Sequence, residues 1–315
     1  MKPTAPRVED FKLTKDMTIP QLLEQMRRSG GFTAKQLGVA GDILKALVAD
    51  QQALRFLSFP ACINATGTRG VLVEALKRKW FDVVVTTCGT LDHDLARLFN
   101  DYYHGRFDMD DKALHDQQVQ RLGNILIPSE SYGGTLEDHL QGMFADILEK
   151  ASGKSVELGT HELIWEIGRR LEDHPRKEES LIYWSWKHQI PMFIPGPYDG
   201  ATGNQLWVFQ QDHPLKLVLA RDETKMSDLV FGSEKTGALM VGGGISKHYT
   251  LWWSQFKGGL NYAVYLTTAS EYDGSLSGAR IKEAVSWGKI NAAANFVTVQ
   301  GDATITLPML LATLL

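Results

Sequence analysis

Cysteine is almost missing from this chain: Cys62 and Cys88 are the only two in 315 residues. Two so far apart make no disulfide framework and no CxxC metal or redox pair, which suits a reducing cytoplasm. Runs of five or more basic residues are absent, and 33 Lys and Arg face 37 Asp and Glu. The electrostatic footprint of a nucleic-acid binder is therefore lacking, and nucleic acid is not an expected partner. Long apolar runs are scarce as well. The longest, Leu307 to Leu315, is interrupted by Pro308 and Thr313, well short of the roughly 18 apolar residues a membrane helix needs. It reads as a packed C-terminal helix. The opening MKPTAPRVEDFKLTK has no apolar core of the signal-peptide kind, so no membrane partner is expected. Neither GxGxxG nor a P-loop occurs, and His161-Glu162 is followed by Leu163-Ile164-Trp165, which does not make HExxH. No metal site is expected.

What the chain does have is enough apolar content, 43%, to bury a substantial core. Thr18 and Pro20 open a short helix closed by Gly30-Gly31, and Thr33 with Gln36 forms a capping-box pattern ahead of Leu37, Ile43, Leu44 and Leu47. Strand-like runs follow at 54–59, 83–87, 124–128, 191–195, 206–210, 238–241, 262–267 and 296–299. Helical patterns fall between them at 70–79, 91–99, 135–150 (capping box Thr135/Asp138), 160–172, 246–257 and 304–314. The alternation predicts an α/β fold: an open, mostly parallel, doubly wound, Rossmann-like sheet with helices on both faces. Residues 1–60 read as an N-terminal helical extension packed on a main domain at 61–315, and the charged stretch Phe107–Gln117 as a solvated loop.

In such sheets ligands gather at the carboxyl ends of the strands. The strand-end loops here are small and polar: Asn64 to Thr68, Thr86 to Thr90, Asp199 to Gly203, Gly242 to Gly244, Thr267 to Ala269 and Gly301 to Ala303. Glycines let backbone approach a ligand, and helix N-termini offer free amides to phosphates. Six such loops suggest one dinucleotide-sized site. Asp92, Asp199 and Asp302 stand in these loops as candidate acceptors for ribose hydroxyls, with helix capping as their structural alternative.

The segment Glu271 to Lys289, EYDGSLSGARIKEAVSWGK, ends in a lysine beside a tryptophan and a glycine. An exposed ammonium titrates near 10.4 and is no nucleophile at neutral pH. Burial against an aromatic wall penalises the charged form and frees the amine, so Lys289 is a candidate nucleophile. The triple glycine at 242–244 is followed by Ile245-Ser246-Lys247-His248, which places His248 in the first turn of a helix facing the same edge.

GGG-x-x-KH, then NYAVYLTTASEYDGS-x-SGAR, then EAVSWGK, then DA near the C-terminus closely resemble, in that order, the deoxyhypusine synthase family. The likeness runs from about Asn64 to the end and takes in VVVTT-x-G followed by DL, RLGNILIP, and IP-x-F-x-P with DG. The resemblance implies an NAD-dependent transferase that oxidises spermidine, holds the butylamine fragment as an imine on a lysine, and passes it to a lysine of a translation factor. In the related homospermidine synthases the acceptor is putrescine. It further implies Lys289 as the imine-forming lysine, Trp287 as the aromatic wall, His248 as the base, and Glu283 and Ser277 as substrate contacts. NAD contacts would fall on Thr68, Thr87, Cys88, Gly89, Asp92, Asp199, Gly242, Gly244, Thr268, Ala269, Asp302 and Ala303. A cytoplasmic homotetramer, in which paired subunits share active sites and residues 1–30 cover a neighbour's entrance, is also implied.

Several family positions differ. Leu276 stands where the family has an aspartate that grips a terminal ammonium, Asn204 replaces a second substrate aspartate, and Trp252 replaces an asparagine. Thr90 replaces the second glycine after TT-x-G, and Asp92-His93 stands for an acidic pair. Losing two carboxylates weakens the attraction for a polycation. The reading drawn from the sequence is therefore aminoalkyl transfer with an altered amine. Authentic deoxyhypusine or homospermidine synthesis is the alternative, and a non-catalytic NAD-binding paralogue serving as a partner subunit is a third. Retention of Lys289, Trp287 and His248 argues against the third.

Overall fold

The computed structural model describes residues 4–315. Its centre is a six-stranded sheet: β1 (Ala53–Ser58), β2 (Val83–Val85), β3 (Met192–Phe193), β4 (Lys235–Val241), β5 (Leu260–Thr267) and β6 (Ile290–Gln300). The spatial order is β6-β5-β4-β1-β2-β3, and every neighbouring pair is parallel. A parallel sheet buries both faces, and the side chains of each strand divide between two cores. Along β4, Leu239 and Val241 join one apolar cluster while Ala238 and Met240 join the other. The larger core lies under α1 (Ile19–Ser29), α2 (Phe32–Ala49), α3 (Thr68–Lys77), α4 (Gly89–Phe99), α5 (Gly134–Lys150), α6 (Thr160–Arg170), α7 (Leu181–His188), α8 (Ala201–Phe209) and α11 (Ala303–Leu311). The smaller lies under α9 (Leu219–Gly232) and α10 (Gly244–Ser254). This is the doubly wound α/β fold.

Local chemistry explains several boundaries. Thr18 and Gln21 close a reciprocal capping box at the start of α1, and Gly30 ends it at φ 72°, a left-handed conformation that suits glycine. The second capping box, at Thr33 and Gln36, does not form, because α2 starts at Phe32 with Gly31 as its cap. Likewise α5 starts at Gly134, and the Thr135 hydroxyl instead accepts from Asn100 Nδ2 at 3.0 Å. The strand expected at 206–210 is the end of helix α8. Leu206 and Phe209 are buried at helical spacing, whereas Trp207 and Val208 face out. A short apolar run carries no period that separates the two structures.

The run at 124–128 is a strand, but it pairs antiparallel with Val119–Leu122 and Tyr103–His104, away from the main sheet. Within the stretch read as a solvated loop, Asp110 caps a short helix, Asp111–Asp116. The boundary at residue 60 falls inside the packed fold, since β1 stands mid-sheet and α2 packs against β5 and β6.

Candidate active site

Because all six strands are parallel, their carboxyl ends share one edge. The chain runs outward from β1 through β2 and β3, then returns to lay β4, β5 and β6 on the other side. The order reverses between β1 and β4, which is where such folds hold ligands. Five helices start at this edge directly after strands: α3 at Thr68, α4 at Gly89, α8 at Ala201, α10 at Gly244 and α11 at Ala303. Their unpaired amides favour an anion. Thr87, Cys88, Thr268 and Ala269 stand in the same strand-end loops. Gly242, at φ 63°, lies at the reversal, and a Cβ there would come within 3.3 Å of Pro60 Cγ.

The carboxylates of this edge divide by environment. Asp92 is fully buried and accepts from the amides of Ala201 and Thr202 (2.9 and 2.7 Å), the Thr202 hydroxyl (2.6 Å) and the Tyr132 hydroxyl (2.7 Å). It ties α4 to the start of α8. Asp302 caps α11 by accepting from the Thr304 amide at 2.8 Å, and Asp199 is exposed. The thiol of Cys88 is pushed up to about 12 by burial first and the Asp92 charge second, so it is no thiolate at neutral pH.

Beside this edge, α10 and the chain from Leu276 to Lys289 enclose a cavity of about 520 Å³. Six of the eight residues expected to be catalytic or substrate-binding line it: His248, Trp252, Leu276, Glu283, Trp287 and Lys289. His248 and Trp252, one turn apart on α10, stack with ring centroids 6.3 Å apart. Lys289 Nζ stands 5.4 Å from the Trp287 ring centroid. Burial first, and the Lys289 charge second, hold the His248 imidazole below its usual range. That favours the neutral imidazole at neutral pH. Ser277 and Asn204 do not line the cavity. The Ser277 carbonyl accepts from the Tyr265 hydroxyl at 2.5 Å and the Thr267 hydroxyl at 2.9 Å, and its side chain stands against Gly243. Asn204 is exposed on α8.

The enclosed aromatic wall expected around Lys289 is open in the single chain, since Trp287 is 68% exposed. Its cavity neighbour Lys247 is 1% exposed and pushed down to about 8 by desolvation, against the opposing pull of Glu283. Sequence reasoning gave Lys247 no role. The available signal was helical phase, because positions 247 and 251 lie on the same inward face of α10. Among the described residues lining the cavity, Glu283 is the one carboxylate, set against Lys247, Arg280 and Lys289.

The sequence profile of the deoxyhypusine synthase family matches residues 21–314. The chain belongs to the deoxyhypusine synthase family. It is 48% identical over 306 residues to a "probable deoxyhypusine synthase" of Picrophilus torridus, covering 97% of this chain and 96% of that one. Identity to the protein of the same description from Thermoplasma acidophilum is also 48%, at the same coverage. The Sulfolobus acidocaldarius relative is 46% identical over 286 residues, 90% of this chain and 89% of its own. A solved structure from Entamoeba histolytica that carries the same family's name superposes with a TM-score of 0.63 at 19% identity, over 97% of this chain and 96% of that one. That likeness concerns the fold. No helix among the described residues is long and apolar enough to cross a membrane.

Proposed function

We propose that this chain is an NAD-dependent aminobutyl transferase of the deoxyhypusine synthase type, moving the 4-aminobutyl group of spermidine through an imine on Lys289 to a lysine of a translation factor. The observation that carries the reading is the convergence of Lys289, His248, Trp287 and Glu283 on one cavity beside the reversal point of the sheet. Near-half identity to family members along almost the whole chain supports the authentic reaction over an altered one.

The strand-end edge suits NAD. Gly242 and Gly244 take positive φ beside the reversal, and space around Gly244 is open. Helix N-termini at Thr68, Gly89, Gly244 and Ala303 suit a pyrophosphate, and Thr87, Cys88, Asp199, Thr268, Ala269 and Asp302 complete the set proposed to hold the dinucleotide. Asp92 contributes by fixing the start of α8 rather than through a free carboxylate. NAD, when bound, supplies the acceptor and later the donor of one hydride. His248 takes the proton of the donor's secondary nitrogen. Lys289, as the neutral amine, attacks the oxidised carbon, and the bond to the departing diaminopropane breaks. The acceptor amine then displaces Lys289 in the same manner. Trp287 and Trp252 flank the methylene chain, and Glu283 faces an ammonium.

A homotetramer is part of this proposal. One carboxylate against three cations is a poor match for a polyamine, and a second copy laid over the open Trp287 would exclude water and bring further acid. A second reading, an altered donor amine, is favoured by Leu276 in the cavity wall and by Asn204. Borohydride trapping with NAD and a panel of amines, followed by mass analysis of the Lys289 peptide, separates the two. Efficient trapping from spermidine supports the authentic reaction, trapping only from another amine favours the altered donor, and no adduct from any amine sinks both.

A further inference from the structure

Lys247 is 1% exposed, yet it lies beside the proposed reacting groups without an acid partner at bonding distance. Its ammonium donates to the carbonyls of Leu276 at 2.9 Å and Ala279 at 2.8 Å, and rests 3.6 Å from the centroid of the Tyr265 ring. Between those carbonyls, that of Ser277 is held by Tyr265 and Thr267. Four donor contacts from α10 and β5 therefore converge on one four-residue stretch. On the other side, Gly243 touches the same stretch, where a Cβ would come within 2.4 Å of Ser277 Cα.

We infer that Lys247 is a positioning residue for the amine site, a cationic clamp that fixes the backbone from Leu276 to Ala279 so that Leu276 and Ala279 form the cavity wall facing His248 and Lys289. The inference rests on the proposed function for its substrate and on geometry for the clamp. A loop of small residues, Gly274-Ser275-Leu276-Ser277-Gly278-Ala279, has little side-chain packing to hold its shape. The alternative role, a second nucleophile, does not suit Lys247: two carbonyl acceptors hold it as a donor, and a point-charge ammonium over a phenol ring gains from staying protonated. The ionisable groups around the stretch are Tyr265, Arg280, Asp273, whose Oδ1 accepts from the Ser275 amide at 2.8 Å, and across the cavity His248, Glu283 and Lys289; of these Glu283 favours the charged form of Lys247.

The test uses the full-length chain carrying Lys247→Met, which keeps the length of the side chain and removes its donors. In hydrogen exchange, the amides of Ser277, Gly278 and Ala279 exchange about ten-fold faster or more, while those of β4 are unchanged. The KM for spermidine rises about ten-fold, with kcat and NAD affinity within about three-fold of wild type. A merely structural role would lower the active fraction, and so kcat, without moving KM. Unchanged loop exchange, or a fall in kcat with KM unaltered, overturns the clamp. If Lys247→Met does not fold, the double substitution Tyr265→Phe with Thr267→Val removes the donors to Ser277 and is expected to loosen the same amides and raise KM about three-fold; no change in either would refute the inference. Failure of wild type to use spermidine would overturn the proposed function while the exchange measurement still decides the clamp.

Discussion

Two lysines line the same cavity and live in opposite worlds. Lys247 is sealed in the core against Tyr265, its Nζ occupied by two carbonyls. Lys289 is half-buried at the end of a one-turn helix, Glu283–Ser286, beside an exposed Trp287. Burial alone lowers the proton affinity of an amine, and by that criterion Lys247 would be the nucleophile. The comparison teaches that reactivity also needs an unoccupied nitrogen facing the space where substrate sits. Lys289 has access and lacks a cover, whereas Lys247 has the cover and no access.

The sharpest way to break this contrast is to remove each lysine in turn. Lys289→Ala is expected to lower imine trapping and transfer by more than about 10³-fold while NAD binding persists. Retained trapping on another lysine, read from the peptide masses, would mean that the roles have been exchanged. Next in size is His248→Gln, expected to lower kcat/KM by about 10²-fold. The imidazole is held below its ordinary range partly by the Lys289 charge. Taking that cation away with Lys289→Met should raise the His248 pKa, as followed by NMR titration of its ring protons. An unchanged or lowered value would show that the two groups do not face one cavity.

Packing comes next. Gly243→Ala places a Cβ against the backbone of Ser277, and overpacking of that kind costs about 1–3 kcal/mol. Chemical denaturation should show the loss, with KM for the amine raised alongside. Lys247 then gives a pH signature. Its folded pKa, about 8, lies below the ordinary lysine value of 10.5, so between those values the unfolded chain binds more protons and stability rises with pH. Below pH 8 both states are charged and the desolvation penalty is fully felt. Relative to Lys247→Met, wild type should gain stability, on the order of 3 kcal/mol at most, from pH 8 to 10.5. A flat difference would show that the ammonium is not desolvated.

Much of this was legible in the residues. The apolar runs and their spacing place all six central strands, and the glycine-rich loops mark the edge where the order reverses. LWVF at 206–209 misled because a short apolar run fits helix and strand alike, whereas the run at 191–195 does hold β3, though only two of its residues pair. Lys289 and His248 line one cavity with Trp252, Leu276, Glu283 and Trp287, whereas Ser277 and Asn204 lie outside it. What the sequence could not show is which side of a loop faces the cavity: Leu276 lines it, while Ser277 stands against Gly243 with its carbonyl held by Tyr265. Nor does it show that Asp92 would be saturated by four donors contributed from α8 and Tyr132, over a hundred residues away for the former.

The smallest expected effect is also the most discriminating for substrate. Leu276→Asp restores a carboxylate to a wall that holds one acid and three cations. If a second copy already supplies the acid for spermidine, the new charge is redundant and falls near the Lys247 ammonium, which bonds the carbonyl of the same residue. KM for spermidine should then change by less than about three-fold. If instead the cavity has been reshaped for a less charged amine, the aspartate supplies the missing partner, and KM for spermidine falls by about ten-fold or more. Steady-state kinetics of both proteins with spermidine and a shorter diamine reads the difference directly, and the larger fall would replace the proposed donor with an altered one.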